Sequence, residues 1–186
     1  ATSMTLTALA NLLIDYRQDV MTPEVFFEVL KIYTRSHRLQ KEDGRTVPWI
    51  DENLNPFTGD WLTRTTLKRG LGTETPGWRD GEALAEKGQE RGKDYNHSTY
   101  CDLIINGLMG IRSHWEDRIT VAPLAPPEWD YFCLDGLPYH GRELTVLWDR
   151  TGERYGKGRG FRVFVDGRLI GEAESLHRLD LPLQKG

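Results

Sequence analysis

The residues best suited to chemistry lie in one stretch, 49–61, which reads Trp-Ile-Asp-Glu-Asn-Leu-Asn-Pro-Phe-Thr-Gly-Asp-Trp. Glu52 is a carboxylate able to take a proton from a water. Asn53 and Asn55 are amides that can donate hydrogen bonds to hydroxyls and accept them, and Trp49 and Trp61 offer ring faces for the C–H surface of a pyranose. Asn55-Pro56 and Thr58-Gly59 are turn signals, so the stretch reads as a loop. Acids, amides and flanking tryptophans give that loop the makings of a sugar-binding rim. A second polar run, Arg91-Gly92-Lys93-Asp94-Tyr95-Asn96-His97, stands just before a helical pattern. Tyr95 and His97 are expected to contact the same substrate rather than to catalyse, since a histidine near a helix start is usually a hydrogen-bonding residue.

The elements that must hold these residues are helical before the loop and extended well after it. Leu6, Leu9, Leu13 and Tyr16 recur at three- and four-residue spacing and predict a helix to about Tyr16. Thr22-Pro23-Glu24 supplies a capping hydroxyl, a proline suited to the first helical position and an acid for the helix dipole. Phe26, Val29, Leu30 and Tyr33 then repeat the stripe to about Arg38. The short connection 17–21 makes the two helices an antiparallel hairpin. Loop is expected from residue 39 to about 66, and an irregular Gly-, Thr- and Pro-rich crossing to 79. Residues 82–91 have a helix-forming composition that Gly88 interrupts. A third helix follows from His97 on the stripe Cys101, Ile104, Ile105, Leu108, with Gly110 as its stop.

Beyond Arg112 the pattern turns to short strands at 119–121, 129–134, 144–148, 161–165 and 169–170. Asp135-Gly136 and Asp166-Gly167 serve as hairpin turns and 149–160 as a glycine-rich return. A small antiparallel sheet is therefore expected from about residue 118.

Glu52-Asn53-Leu54-Asn55-Pro56-Phe57-Thr58-Gly59 resembles the catalytic-base segment of glycoside hydrolase family 63 and of the related mannosylglycerate-hydrolase-like, six-hairpin glycosidase group. The resemblance extends to residues 1–13 and to the helix opening at His97-Ser98-Thr99-Tyr100. It implies that the chain is mainly α with appended β: the last helices of an (α/α)6 barrel over 1–117, followed by the small antiparallel sheet over 118–186. It also implies an inverting glycoside hydrolase in which Glu52 is the general base. Such a reaction needs a second, protonated carboxyl about 6.5–9.5 Å away to protonate the leaving oxygen. Asp15 and Asp19 do not match the family's acid, Asp51 adjoins Glu52 and would point elsewhere, and Asp60, Asp94 and Asp102 read as structural or solvated. The acid is thus expected outside this chain, which then represents a C-terminal fragment, inactive alone, that associates with the missing part of the barrel or with itself.

Bulk properties narrow the classes. The 186 residues suit one compact unit, and 24 basic against 28 acidic side chains give a formal charge of -4, which promises neither a nucleic-acid nor an anionic-membrane partner. No apolar run of membrane-spanning length and no leader pattern stands in the sequence; the localisation is left open, with a soluble, cytoplasmic protein favoured. Cys101 and Cys133 lack metal-ligand spacing and are expected as reduced, buried thiols, and no metal or cofactor is expected. Asn96-His97-Ser98 matches the glycosylation sequon at a helix start, where it is expected to go unused. Gly156-Lys157-Gly158-Arg159-Gly160 lacks phosphate-loop spacing, and Arg159 to Val165 fits a hairpin strand better than an RNA-binding strand. The alternative to an enzyme is a carbohydrate-binding or assembly module whose sheet presents Trp129, Tyr131, Phe132 and Trp148. Strand alternation, however, sends about half of such rings into the core.

Overall fold

A computed structural model describes residues 2–16, 21–40, 43–48, 50 and 99–183. The chain divides into two compact units, one formed by Ala1–Leu6 with Glu28–Tyr100 and the other by Thr7–Phe27 with Cys101–Gly186.

Helix α1 (Thr2–Asn11) runs from the first unit into the second and widens at its end into a π-helical turn, Leu12–Tyr16. The wider turn shifts the buried side. Leu6, Leu9, Ala10 and Ile14 are buried, whereas Tyr16, expected on the apolar face, is 75% exposed. Helix α2 (Pro23–Ser36) starts as its sequence signals require. The Thr22 carbonyl accepts from the N–H groups of Val25 and Phe26 at 3.1 and 3.3 Å, and Phe26, Leu30 and Tyr33 are buried at helical spacing. In the first unit α2 leads to a short hairpin, β1 (Arg38–Gln40) with β2 (Thr46–Pro48), in a region expected to be loop. Gly44 supplies the positive φ its turn needs, and the Asp43 carboxylate accepts from the backbone N–H and the guanidinium of Arg45.

The second unit holds the third helix from Cys101 onward and both larger sheets. Helix α3 (Tyr100–Asp102) passes at once into a second π-helical turn, Leu103–Leu108, whose widened ladder shows in the 2.8 Å bond from the Met109 N–H to the Ile104 carbonyl, five residues back. Gly110 ends it, as expected, in the left-handed region at φ 70°. Gly107 lets the helix approach Phe26 so closely that a Cβ there would lie 2.7 Å from the ring. A three-stranded antiparallel sheet follows in the order β3 (Ile111–Ser113), β4 (Arg118–Val121), β9 (Leu179–Pro182). The second sheet is a meander of β5 (Tyr131–Tyr139), β6 (Arg142–Asp149), β7 (Gly160–Val165) and β8 (Arg168–Ala173). Its core face pairs Phe132 with Trp148, Leu144 with Val165, Val146 with Val163 and Trp148 with Phe161, all buried.

The expected fold class is corrected. Among the described residues there is more strand than helix: three short α-helices stand beside two antiparallel sheets with seven strands in all, in addition to the small β1–β2 hairpin. The described residues are therefore not mainly α, and these elements do not make part of an (α/α)6 barrel. The helical stripes were real, but α3 has only three α-helical residues before its turn widens, and strands at 111–113 and 179–182 lay where no alternation marked them. Asp135-Gly136 is also not a hairpin turn. It sits inside β5 as a bulge where the register to β6 slips between Leu134 and Leu137, and the turn is His140-Gly141, both with positive φ. Asp166-Gly167 does turn the chain between β7 and β8, with φ of 49° and 75°.

Gly110 and Gly136 share a positive φ of 70° but differ in surroundings. A Cβ on Gly110 would lie 1.9 Å from the Ala122 carbonyl oxygen, and one on Gly136 would meet nothing within 4 Å. Gly110→Ala is therefore expected to cost about 3–5 kcal/mol, strain and overpacking together, against about 1 kcal/mol for Gly136→Ala. Urea unfolding of the two variants checks the difference, and equal losses would contradict the geometry.

Candidate functional site

Trp49, Glu52, Asn53, Asn55, Trp61, Tyr95 and His97 all lie outside the described residues, as do Asp51, Asp60, Asp94 and the sequon at Asn96. What the structure shows is the scaffold on either side of them in sequence, where β2 precedes the stretch and Tyr100 follows it. In the first unit Tyr100 lies edge-on to Tyr33 at 5.7 Å between centroids and 4.8 Å from the His37 ring. The Thr34 hydroxyl donates to the Leu30 carbonyl at 2.8 Å, so in the 2.7 Å contact with Tyr100 it is the phenol that donates. Burial pushes the Tyr33 phenol above its usual value, against a hydrogen bond with Ser3 that lowers it.

In the second unit the polar residues converge on Arg112 in β3, which no sequence motif marked. Its Nε–H donates to both oxygens of Asp15 at 2.9 and 3.2 Å. Nη1 donates to the carbonyl of Asn106 and to that of Ile111 at 3.3 Å, and Nη2 donates to the Ala10 carbonyl at 3.4 Å and Asn11 Oδ1 at 3.2 Å. All five N–H groups of the guanidinium are engaged. The need for them is local: α1 and its π turn carry no basic residue in their last turns, so their terminal carbonyls take donors from elsewhere. Arg178 serves Ile14 in the same way at 3.3 Å while it holds Asp180 through two nitrogens at 2.8 and 3.0 Å. Asp180 in turn accepts from the fully buried Thr120, whose hydroxyl also contacts His114 Nε2 at 2.9 Å.

Above Arg112 opens a cleft of about 310 Å³. Its walls are helical: Thr7, Asn11 and Asp15 from α1 and its π turn on one side, Asp102 and Asn106 from α3 and its π turn on the other. Its base is apolar, with Ala10, Leu103, Gly107 and Ile111 buried. Asp102, which by sequence reads as structural or solvated, is exposed at this rim.

The glycine-rich return between β6 and β7 is organised around a buried acid at its start. Its N–H groups converge on a carboxylate of the chain itself: Gly152 donates to Asp149 Oδ1 at 2.8 Å, and Arg154 and Tyr155 donate to Oδ2 at 2.9 and 3.0 Å. Burial raises the Asp149 carboxyl, but these bonds together with one from Thr151 outweigh it and hold the group below its usual 3.8. Of the four rings of the supposed stacking surface, Phe132 and Trp148 are buried, and Trp148 donates to the Trp129 carbonyl at 2.7 Å. Cys101 and Cys133 are free, as expected, but exposed rather than buried. Among the described residues no group of side chains could hold a metal ion, and no helix is long and apolar enough to cross a membrane.

Residues 1–98 match the family model described as the mannosylglycerate hydrolase MGH1-like glycoside hydrolase domain. The chain belongs to that family. Residues 112–171 match the C-terminal domain of glycosyl hydrolase family 65. A solved structure titled "Sialidase" is 39% identical with a TM-score of 0.71, and the match covers 96% of this chain and 14% of that one. The chain thus spans about a seventh of that protein's length. In this MGH1-like chain Arg112 is the first residue of the second matched region, and its carboxylate partner Asp15 lies in the first.

Two expectations follow for the MGH1-like chain. Arg112→Ala should cost about 2–3 kcal/mol in chemical denaturation, because it removes a charge-assisted fork and leaves helix-end carbonyls unsatisfied. Arg112→Lys should recover less than half of that, since an ammonium cannot span the same acceptors. For Asp149 the folded pKa lies below 3.8, so its stabilisation is present above about pH 4 and is lost as the pH falls through the folded value. Asp149→Asn should flatten the acid limb of a Tm-against-pH curve, and an unchanged limb would show that the carboxylate is not linked to folding.

Proposed function

We propose that the protein is the base-bearing part of an inverting glycoside hydrolase that cleaves an O-glycosyl bond, with Glu52 as the general base. The observation that carries this is the family match over residues 1–98, which contains the whole Glu52-Asn53-Leu54-Asn55-Pro56-Phe57-Thr58-Gly59 segment. Support also comes from a second glycosyl hydrolase match, to the C-terminal domain of family 65, later in the same chain. The descriptions of the matched proteins name different activities, mannosylglycerate hydrolysis and sialidase, and what they share is the glycosidic bond. A carbohydrate is the proposed substrate.

In the proposed reaction Glu52 removes a proton from a water on the face of the sugar opposite the leaving group, and the water oxygen attacks the anomeric carbon as the glycosidic bond breaks. A carboxylic acid outside these 186 residues, about 6.5–9.5 Å from Glu52, gives its proton to the departing oxygen. Asn53 and Asn55 hydrogen-bond the ring hydroxyls, Trp49 and Trp61 stack on the apolar ring face, and Tyr95 and His97 complete the contact with the substrate. Burial of Phe132 and Trp148 leaves a non-enzymatic stacking module two of its four rings, as strand alternation requires, and the glycoside hydrolase match over residues 1–98 is what favours the enzyme.

In the full-length enzyme Glu52→Gln should lower kcat by about 10²–10⁴-fold while sugar binding, measured by calorimetry, is retained. The first-formed product should carry the inverted anomeric configuration by proton NMR. Undiminished turnover in the variant would refute the base assignment, and a retained anomer would refute inversion.

A further inference from the structure

We infer that the cleft between the π-helical turns of α1 and α3 is a binding site for a neutral, hydroxylated ligand of monosaccharide size. Three features of the second unit carry this.

The first is construction. Both turns beside the cleft, Leu12–Tyr16 and Leu103–Leu108, are π-helical. Such turns are rare, and they occur frequently at functional sites. Here they fall on the two facing walls and carry Asp15 on one side and Asn106 on the other.

The second is the distribution of polarity. The exposed wall residues Asn11, Asp15, Asp102 and Asn106 are carboxylates and amides, whereas the base beneath them is buried and apolar. That order suits a molecule with hydroxyls around its edge and C–H groups on one face. At about 310 Å³ the cleft lies at the small end of ligand pockets, large enough for one pyranose ring.

The third is charge, which decides the class. Arg112 would attract an anion if its guanidinium had donors to give, but all five are engaged by Asp15, Asn11 and three carbonyls. Asp15 is balanced by Arg112, and Asp102 has no cation paired to it among the described residues. Among the described residues the cleft carries one more carboxylate than cations, and Asp102 keeps acceptor capacity to offer. It repels carboxylated or phosphorylated sugars and favours hydroxyl groups, which donate to Asp102 and exchange hydrogen bonds with the Asn106 amide. This site does not rest on the Glu52 proposal.

Cys101 is exposed and adjoins Asp102, so it can report on the cleft locally. In the full chain with Cys133→Ser, Cys101 is labelled with a trifluoroethylthio group and its ¹⁹F signal is followed during titration. Methyl α-D-mannopyranoside and methyl α-D-glucopyranoside are the neutral probes, and sodium D-glucuronate is the anionic one. The expected result is a saturable shift with the neutral glycosides, with Kd on the order of 1 mM, and none with glucuronate. Asn106→Ala and Asp102→Ala, at exposed positions, should each weaken binding about tenfold with Tm unchanged. Glu52→Gln should leave the titration as it is even if turnover is lost, which separates this site from the proposed catalytic one. Absence of a saturable shift, an equal response to glucuronate, or binding unaffected by both alanine variants would overturn the inference.

Discussion

The second unit depends on how a helix that ends without cations of its own is terminated. α1 closes in a π turn with no basic residue in its last turn, and the carbonyls of Ala10 and Ile14 accept from side chains outside the helix. Arg112 and Arg178 reach them from the sheet side, and each of these arginines is also held by a carboxylate, Asp15 and Asp180 respectively. Each guanidinium thereby ties helix to strand through charge-assisted bonds whose planar geometry leaves little freedom. The Arg112 position also fixes the distance between α1 and α3, since one Nη group holds Ala10 and Asn11 while the other holds Asn106. Gly107 then permits the close contact with Phe26 that this spacing requires.

The sheets solve a related problem with the same economy of means. β6 and β7 are buried along most of their length, so the connection between them cannot leave its backbone donors unsatisfied. Asp149, at the end of β6, accepts from Gly152, Arg154 and Tyr155 and so turns a glycine-rich loop into a closed anion nest filled by the chain itself. A buried carboxylate is unfavourable alone; here the converging dipoles keep it ionised. Lys157, from the same loop, lies 5.9 Å from the centroid of the Phe164 ring.

How much of this could be read from the sequence follows the range of each interaction. Helical stripes in α1 and α2 and the turn at Asp166-Gly167 were legible because they are local. Asp135-Gly136 was misread for a physical reason: a left-handed glycine serves a bulge as well as a turn, and only the pairing of β5 with β6 tells them apart. The π turns were invisible because no periodicity announces an inserted residue. Their effect was the misplacement of Tyr16 on the buried face and the overestimate of helix. The loop around Glu52 was legible as a motif, and the family match over residues 1–98 contains it. The cleft over Arg112 was not legible, since Asp15 and Arg112 are 97 residues apart and neither stands in a pattern.

The matched regions and the compact units do not coincide, and Arg112 explains why. By sequence similarity the chain changes family between residues 98 and 112. By packing, residues 7–27 belong with 101–186, so the end of α1 and the start of α2 are structural parts of the sheet-bearing unit. Asp15 and Ala10 lie in the first match and hold the first residue of the second. A sheet joined only by its covalent link would be an independent module, free to vary or to be lost. One whose opening strand is clamped by a guanidinium to a helix from the glycoside hydrolase match is held to that helix by more than the covalent link. The ionic and hydrogen-bonding demands of the helix end, rather than the sequence boundary, then define the physical unit on which the cleft over Arg112 is built.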